Sequence, residues 1–256
     1  MTNYTGTGMN PTMIAYDNNG SMWVADYGQI NMITKINVST GTMVNYTSNL
    51  LNAPIGIAFD GVSMWVSNQI GFNVTKVNLS SMVMTNYAGT CATPWGIAYD
   101  NNGSMWVANY GTENVTKVNI TNGAMKNYTG TGVHPETIAY DGNGNMWVQN
   151  AGSNLTTKVI SSTGAMTNYS GTGGNSVGIA SDSNYLSCSP VLNSNWYINT
   201  TQICSGINVT TGTGMINITK GGTLTLLKGA NVSTKGLNLN LAGDSVFILN
   251  KSNLIL

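Results

Sequence analysis

Side chains able to carry acid–base chemistry are scarce in this chain of 256 residues, which has nine Asp and Glu residues and one histidine. His134 and Glu136 lie two residues apart in the segment Val-His-Pro-Glu, and a histidine beside a carboxylate is a common acid–base pair. The segment also fits a plain loop, because Asn10-Pro and Thr93-Pro occupy the corresponding places elsewhere in the chain. We favour the loop, and the sequence predicts no catalytic residue and no enzyme.

Oxygen ligands for a metal ion are equally few. Asp141-Gly-Asn143-Gly-Asn145 has the alternating oxygen spacing of a calcium loop. It lacks the closing glutamate, however, and it replaces a turn that recurs throughout the chain. No Cys/His set has the spacing of a zinc site, and no glycine-rich loop opens a helix to hold phosphate. We therefore expect no metal and no cofactor.

The elements that must position these side chains form a repeat of about 41 residues. Ile-Ala-Tyr/Phe-Asp occurs four times and decays at Ile179–Asp182, and Asn-Tyr recurs at spacings of 42, 41, 41 and 41 residues. A fixed period of this length, with several short strands and no helical run, is typical of a propeller. The repeated aspartates are therefore predicted to be turn residues: Asp17, Asp60, Asp100, Asp141 and Asp182.

Each repeat is predicted to form four strands, as residues 96–128 illustrate. Gly96–Tyr99 ends at the turn Asp-Asn-Asn-Gly, and Ser104–Asn109 is apolar on both faces, as an inner strand would be. Val115–Ile120 and Ala124–Tyr128 complete the unit, and four strands of this length make one propeller blade. One Trp and one Lys recur in each repeat. We expect the tryptophans to be core rather than sugar-stacking, and the lysines to lie along the blade rather than form a ring of charge: Trp23, Trp65, Trp106 and Trp147; Lys35, Lys76, Lys117 and Lys158.

The repeat pattern Gly-Ile-Ala-x-Asp-x-x-Gly-x-Met-Trp-Val resembles that of NHL-type and streptogramin-lyase-type propellers over residues 1–182. The resemblance implies an all-β propeller of four to five four-stranded blades. Such propellers host lyases, lactonases and interaction scaffolds alike. Lyases of this type use several histidines and a divalent metal at the central face. With His134 alone the chain does not reproduce that set, so a degenerate lyase-like enzyme is the third hypothesis.

Closure of the propeller can occur in two ways. Thr2–Thr5 matches an outermost strand and Ser176–Ala180 an innermost strand. With Asn184–Ser187 and Trp196–Asn199 as middle strands, these segments predict a composite fifth blade that joins both chain ends. An open arc completed by another subunit is the alternative. Because the sequence begins inside a repeat unit, we also expect it to be part of a longer precursor.

A second domain is predicted at residues 191–256, after a propeller at residues 1–190. Its short alternating strands, most of them about eight residues apart, predict a parallel β-helix or a compact β-sandwich. The segment resembles the start of the pectate-lyase-like β-helices of large archaeal surface proteins. Strands without partners at the two ends of the chain can template further pairing. The residues predicted to mediate such assembly are Thr2, Asn3, Tyr4, Leu254, Ile255 and Leu256.

The composition predicts an exported protein. Only 7% of residues are charged and the net charge is zero, which leaves no basic surface for nucleic acid. No apolar run approaches the roughly 20 residues of a membrane span. Asn-x-Ser/Thr sequons number 17, about twice the chance expectation. We predict N-glycosylation at Asn3, Asn19, Asn37, Asn45, Asn73, Asn78, Asn102, Asn114, Asn119, Asn127, Asn154, Asn168, Asn199, Asn208, Asn217, Asn231 and Asn250.

The three cysteines fit the same compartment. Cys188 and Cys204 enclose 15 residues, and a disulfide between them would contribute about 3 kcal/mol in the loop-entropy model. Cys91 is left over, either buried or paired between chains.

We therefore expect a non-enzymatic, glycosylated extracellular structural protein. It would be the repeating subunit of a filament or surface layer that assembles with itself, head to tail, by strand addition. The alternative is a cell-surface adhesion propeller that binds glycans or proteins. Trp95, which departs from the repeat, would then be the best exposed aromatic contact.

Overall fold

The structure is a computed structural model that describes residues 6–28, 31–172 and 178–179, together with nine short strands between residues 196 and 255 and Met215. The chain divides into two compact units, Met1–Ser181 and Asp182–Leu256. All regular elements in the described ranges are strands, as the sequence predicts. Those ranges contain no helix with the length and apolar character required to cross a membrane.

The described residues of the first unit form four antiparallel sheets of four strands, and each sheet corresponds to one repeat. Blade 1 comprises β1 (Pro11–Tyr16), β2 (Ser21–Asp26), β3 (Met32–Asn37) and β4 (Met43–Thr47). Blade 2 comprises β5 (Pro54–Phe59), β6 (Ser63–Asn68), β7 (Asn73–Asn78) and β8 (Met84–Ala88). Blade 3 comprises β9 (Pro94–Tyr99), β10 (Ser104–Asn109), β11 (Asn114–Asn119) and β12 (Met125–Thr129). Blade 4 comprises β13 (Pro135–Tyr140), β14 (Asn145–Asn150), β15 (Leu155–Ile160) and β16 (Met166–Ser170).

The blades stack through apolar faces. The first strands of neighbouring blades touch one another, which makes β1, β5, β9 and β13 the innermost strands of the arc. One buried cluster lies between each pair of consecutive blades. Trp106, for example, packs beneath Ile138, Met146 and Val148 of the next blade. Trp23, Trp65 and Trp106 are completely buried, so for these three the prediction of a core role is confirmed.

Each blade has two ends with different constructions. At one end, which we call the turn end, strands 1 and 2 and strands 3 and 4 are joined by tight turns. At the other, the loop end, the chain passes from strand 2 to strand 3 and from one blade to the next. The residue that precedes the first-strand proline at the loop end has a positive φ in all four blades: 54° at Asn10, 54° at Ala53, 50° at Thr93 and 54° at His134.

The second unit has parallel strands. β17 (Trp196–Ile198), β20 (Ile216–Ile218) and β23 (Leu237–Leu239) form one sheet. β18 (Thr201–Ser205), β21 (Thr223–Leu227) and β24 (Ser245–Ile248) form a second. β19 (Asn208–Thr210), β22 (Asn231–Ser233) and β25 (Asn253–Ile255) form the third. Three consecutive strands therefore contribute one strand to each of three parallel sheets, as the coils of a parallel β-helix do.

This pairing also corrects the predicted composite blade. Trp196–Ile198 pairs in parallel with Ile216–Ile218, so it belongs to the β-helix and not to the middle of a propeller blade. The other predicted parts of that blade, Thr2–Thr5 and Asn184–Ser187, lie outside the described residues.

Candidate functional site

The turn end of each blade is built around one aspartate. In blade 3, Asp100 Oδ1 accepts the backbone N–H groups of Asn102 and Ser104, both at 2.9 Å. Asp100 Oδ2 accepts the indole N–H of Trp106 at 3.1 Å. The same indole–aspartate bond occurs in the other three blades. The predicted turn role of these aspartates is therefore what the structure shows.

A lysine and a tyrosine complete this arrangement. The Trp106 ring stacks on Tyr128 of the fourth strand at 5.4 Å, and Lys117 Nζ lies 5.2 Å from the Trp106 ring centre. Lys117 Nζ also donates to the carbonyl of Ser161 in blade 4 at 2.7 Å, as Lys76 Nζ does to Ile120 in blade 3 at 2.9 Å. The repeated lysines thus lie along the blades, as predicted, and two of them join neighbouring blades.

The segment with the oxygen spacing of a calcium loop, Asp141–Asn145, forms one more turn of this kind. Asp141 Oδ1 accepts the backbone N–H groups of Asn143 and Asn145, and Asp141 Oδ2 accepts the indole N–H of Trp147 and the amide of Asn145. Burial alone raises the pKa of Asp141, but these hydrogen bonds outweigh it and hold the pKa below 3.8. The carboxylate oxygens are already engaged, and no cluster of metal-binding side chains occurs among the described residues.

The loop end carries an aromatic stack at the boundary between blades 3 and 4. The ring centres of Trp95, in β9, and Tyr110 lie 5.0 Å apart. Those of Tyr110 and His134 lie 4.2 Å apart, and these two rings are nearly parallel. All three side chains are half-buried. At the boundary between blades 1 and 2, the same positions hold Thr12, Tyr27 and Ala53; between blades 2 and 3, they hold Ile55, Gln69 and Thr93.

The His134 side chain contributes to this stack and does not form the acid–base pair considered from the sequence. The imidazole packs against Tyr110, and no hydrogen bond joins it to Glu136 in the described structure. Burial raises the pKa of Glu136. Sequence reasoning singled out Trp95 but missed the stack. A comparison of the three loop-end positions across the repeats could have found it, since only one boundary has aromatic or heteroaromatic rings at all three.

The open face of blade 1 is the second unusual surface. Ile14 is 56% exposed, whereas its repeat equivalents Ile57, Ile97 and Ile138 are 4–7% exposed. Tyr16 and Val38 on the same blade are 44% and 49% exposed. The equivalent residues of blades 2, 3 and 4 face the preceding blade. We call this surface, formed by Ile14, Tyr16 and Val38, the blade 1 flank.

Chain entry into blade 1 follows the pattern of the other blades. Gly6 has φ 134° and packs beside the Met43 sulfur, just as Gly130, with φ 118°, packs beside Met166. Asn45 Nδ2 donates to the Gly6 carbonyl, as Asn168 Nδ2 donates to the Gly130 carbonyl. The chain thus enters blade 1 with the same contacts with which it enters blade 4 from the preceding blade.

The predicted glycosylation sites differ in accessibility. Asn114 is buried, and its amide donates to Cys91 Sγ at 3.2 Å, so a glycan there would disrupt packing. Asn217 is also buried, while Asn73 and Asn78 are half-buried. The exposed sites are Asn19, Asn37, Asn45, Asn102, Asn119, Asn127, Asn154 and Asn168. Asn3, Asn199 and Asn250 lie outside the described residues, and only the strands are described around Asn208 and Asn231. Glycosylation stays a prediction.

The predicted assembly and disulfide residues lie at the two ends of the chain and in the second unit. Thr2, Asn3, Tyr4, Leu256 and Cys188 lie outside the described residues. Leu254 and Ile255 belong to β25, which pairs with β22 at one edge of its sheet. Cys204 lies in β18, and Cys91 is half-buried with a free thiol. The Cys188–Cys204 disulfide stays a prediction.

The structure of the first unit is that of known β-propellers. A catalytically inactive virginiamycin B lyase from Staphylococcus aureus, solved with quinupristin, matches with a TM-score of 0.58 and 19% identity, covering 66% of this chain and 58% of that chain. The WD40 repeats of RRP9 match with a TM-score of 0.59 and 10% identity, covering 67% and 54%. A chain of a nidogen/laminin complex matches with a TM-score of 0.55 and 16% identity, covering 63% and 64%.

These matches confirm the resemblance to streptogramin-lyase-type propellers at the level of the fold. This chain spans less than two thirds of each of these neighbours. No protein-family model and no curated protein matches the sequence. Because the neighbours include an enzyme as well as WD40 repeats, the shared fold is compatible with catalysis, binding or a scaffold role.

Proposed function

We propose that the protein is a non-enzymatic structural subunit of an extracellular assembly, a filament or surface layer, in which copies pack head to tail through their blades. The observation that carries the proposal is the blade 1 flank. Three internal interfaces bury the isoleucines equivalent to Ile14 and half-bury the aromatic residues equivalent to Tyr16, so the flank resembles a face that receives another blade. Burying such apolar surface is favourable by about 25 cal/mol per Å².

Blade 4 offers the complementary face. Trp147 is only half-buried, whereas its equivalents in blades 1 to 3 are completely buried. Tyr169, which stacks on Trp147, is 44% exposed. Packing of blade 4 of one copy on blade 1 of the next is a heterologous contact, which closes into a ring or extends into an open polymer. Face-to-face packing takes the place of the predicted strand addition in this proposal.

Replacement of Ile14 with Glu tests the proposal. We expect the wild-type chain to form higher oligomers with increasing concentration in sedimentation velocity, and to show polymers or rings by electron microscopy. Ile14→Glu places a charge in the interface and should leave a folded monomer. Val62→Glu is the matched control, because Val62 is 70% exposed in a turn away from the flank. A wild-type chain that stays monomeric at high concentration would show that the proposal is wrong.

A second candidate function, adhesion through a bound glycan or protein, is favoured by the aromatic stack. Aromatic rings presented together at a loop surface are frequent contact residues in recognition. Trp95→Ala should then abolish any retention of the chain on a glycan array, while Tyr169→Ala should leave it unchanged. Equal retention of wild type and Trp95→Ala on the array would show that the aromatic stack does not bind the glycan.

A further inference from the structure

Two of the three blade interfaces are closed at the turn end by a glycine. Gly123 and Gly164 lie in the turns between strands 3 and 4 of blades 3 and 4, with φ of 72° and 79°. A Cβ atom on Gly123 would stand 2.0 Å from the Tyr87 ring, and one on Gly164 would stand 1.9 Å from the Tyr128 ring. Each turn therefore lies directly against the tyrosine of the preceding blade, where only glycine fits.

The first interface has a methionine at this position. Met82 occupies the same place in the turn of blade 2, since its N–H donates to Asn78 just as that of Gly123 donates to Asn119. Its φ of 57° is also that of a left-handed residue. The Met82 side chain packs against the cluster between blades 1 and 2. The first interface therefore lacks the glycine–tyrosine contact of the other two.

Blade 1 carries a cavity of about 490 Å³ beside Tyr46. We call it the Lys35 groove. It is lined by blade 1 residues, chiefly Asn19, Ser21, Lys35, Asn37, Thr42 and Tyr46.

Lys35 differs from Lys76 and Lys117 in its hydrogen bonding. Lys76 and Lys117 each donate to a carbonyl of the following blade, and the carbonyl equivalent for Lys35 belongs to Leu79. Lys35 Nζ instead lies 5.3 Å from the Trp23 ring centre and makes no hydrogen bond within the described structure. The nearby carboxylate of Asp17 already accepts three N–H groups. The groove thus contains an ammonium group that is free to donate.

The remaining lining defines the chemistry of a ligand. Ser21 and Thr42 supply hydroxyl groups, Asn19 and Asn37 supply amides, and Tyr46 supplies part of a ring face. Asn37 Oδ1 already accepts two backbone N–H groups and Thr42 Oγ1 accepts the Thr40 hydroxyl, so both side chains would act as donors to a ligand. Neutral donors and acceptors of this kind suit a polyhydroxylated ring, and the ammonium adds a preference for a carboxylate. A nucleic acid ligand is disfavoured because the chain has no net positive charge.

We propose that the Lys35 groove binds a carboxylate-bearing sugar, with the carboxylate at Lys35 Nζ and the sugar hydroxyls at the Ser21, Asn37 and Thr42 side chains. This site is independent of the blade 1 flank and of the aromatic stack. The sugar could be free or could belong to a glycan on a neighbouring molecule, and the recognised chemistry is the same.

The site requires Asn19 and Asn37 to be unmodified, so this proposal and the predicted glycosylation of these two residues exclude one another. Titration of the full chain with D-glucuronate tests the site, using protein from a host that does not glycosylate it. Binding is followed by NMR chemical-shift changes. We expect D-glucuronate to bind in the millimolar range, and both D-glucose and acetate to bind about tenfold more weakly. Lys35→Met should weaken D-glucuronate binding about tenfold or more. Met82→Gly should do the same with Lys35 intact, because the turn can then close on Tyr46.

Lys76→Met is the matched control. Lys76 occupies the same position in an interface that Gly123 closes, so its replacement should leave D-glucuronate binding unchanged. Thermal unfolding of each variant checks that the propeller is intact. The proposal is overturned if wild type does not bind D-glucuronate, or if Lys35→Met and Met82→Gly bind it as wild type does. Oligomer size in sedimentation velocity should not change in Lys35→Met or Met82→Gly. Sugar binding and assembly are therefore tested independently of one another.

Discussion

The two ends of each blade contrast in how strictly the repeat is kept. At the turn end, an aspartate, a tryptophan, a lysine and a tyrosine recur in all four blades with nearly the same contacts. At the loop end the backbone is equally regular, with a positive φ before each first-strand proline, but the side chains at the positions of Trp95, Tyr110 and His134 change from blade to blade. The repeat therefore keeps one set of side chains in all four blades at the turn end, and it varies these three positions at the loop end.

The largest effect should come from the tryptophan of the turn end. Trp106 is completely buried, stacks on Tyr128 and donates to Asp100. We expect Trp106→Ala to lower the free energy of unfolding by about 3–5 kcal/mol, because it leaves a cavity between blades 3 and 4. Tyr110→Ala at the loop end should cost about 1 kcal/mol. Denaturant unfolding measures both, and equal losses would contradict the contrast between the ends.

An aspartate of the turn end should give the next largest effect, and one that depends on pH. Burial alone raises the pKa of Asp17. Hydrogen bonds from Trp23, Asn19 and Ser21, together with the charge of Lys35, outweigh it and hold the pKa below 3.8. Asp17→Asn should cost about 1–3 kcal/mol at neutral pH, because an amide offers one acceptor where two are needed.

The pH dependence of this cost has a definite sign. A carboxylate whose pKa is lower in the folded state stabilises the fold above its unfolded pKa, and this stabilisation is lost as the pH falls through the folded pKa. Thermal unfolding of wild type and Asp17→Asn should therefore converge in strong acid. A difference that is constant from neutral to acidic pH would show that the charge of Asp17 does not matter.

The turn end is also where sequence reasoning worked best. Asp and Trp recur once in each blade at a fixed spacing, so their turn and core roles follow from the sequence. Alternation of apolar residues within a strand predicts its buried face. The prediction that Trp196–Asn199 is a middle strand of a propeller blade was wrong, because alternation within a strand says nothing about the direction or identity of its neighbour. The aromatic stack and the Lys35 groove were missed because each depends on one residue that departs from the repeat and on a contact between blades.

The smallest predicted effect is at the loop end of blade 1, where a substitution should raise the free energy of unfolding rather than lower it. In blades 2, 3 and 4 the last residue of strand 2 is an asparagine that donates to a threonine hydroxyl, which in turn donates to an asparagine of strand 4. Asn68 donates to Thr75 at 2.8 Å, and Thr75 donates to Asn86 at 2.5 Å. The equivalent in blade 1 is Asp26, which is 1% exposed and lies 2.7 Å from the Thr34 hydroxyl.

A single hydroxyl hydrogen cannot serve two acceptors. Thr34 lies within hydrogen-bond distance of both Asp26 Oδ2 and Asn45 Oδ1, so the chain of bonds is complete only when Asp26 is protonated and donates to Thr34. Burial raises the pKa of Asp26, and hydrogen bonds from Thr34 and Gly8 offset this only in part. For an acid with a raised folded pKa, stability is present in acid and falls as the pH rises through the window above 3.8.

Asp26→Asn should restore the donor found in the other blades. We expect the variant to be more stable than wild type by about 1 kcal/mol at neutral pH, since it replaces a buried carboxylate with an amide that donates to Thr34. The difference should shrink in acid, where Asp26 is protonated and can donate as the amide does. Thermal unfolding against pH would then show Asp17→Asn below wild type and Asp26→Asn above it at neutral pH. If Asp26→Asn is instead less stable than wild type, the Asp26 carboxylate must accept a hydrogen bond that has no counterpart at the asparagines of the other blades.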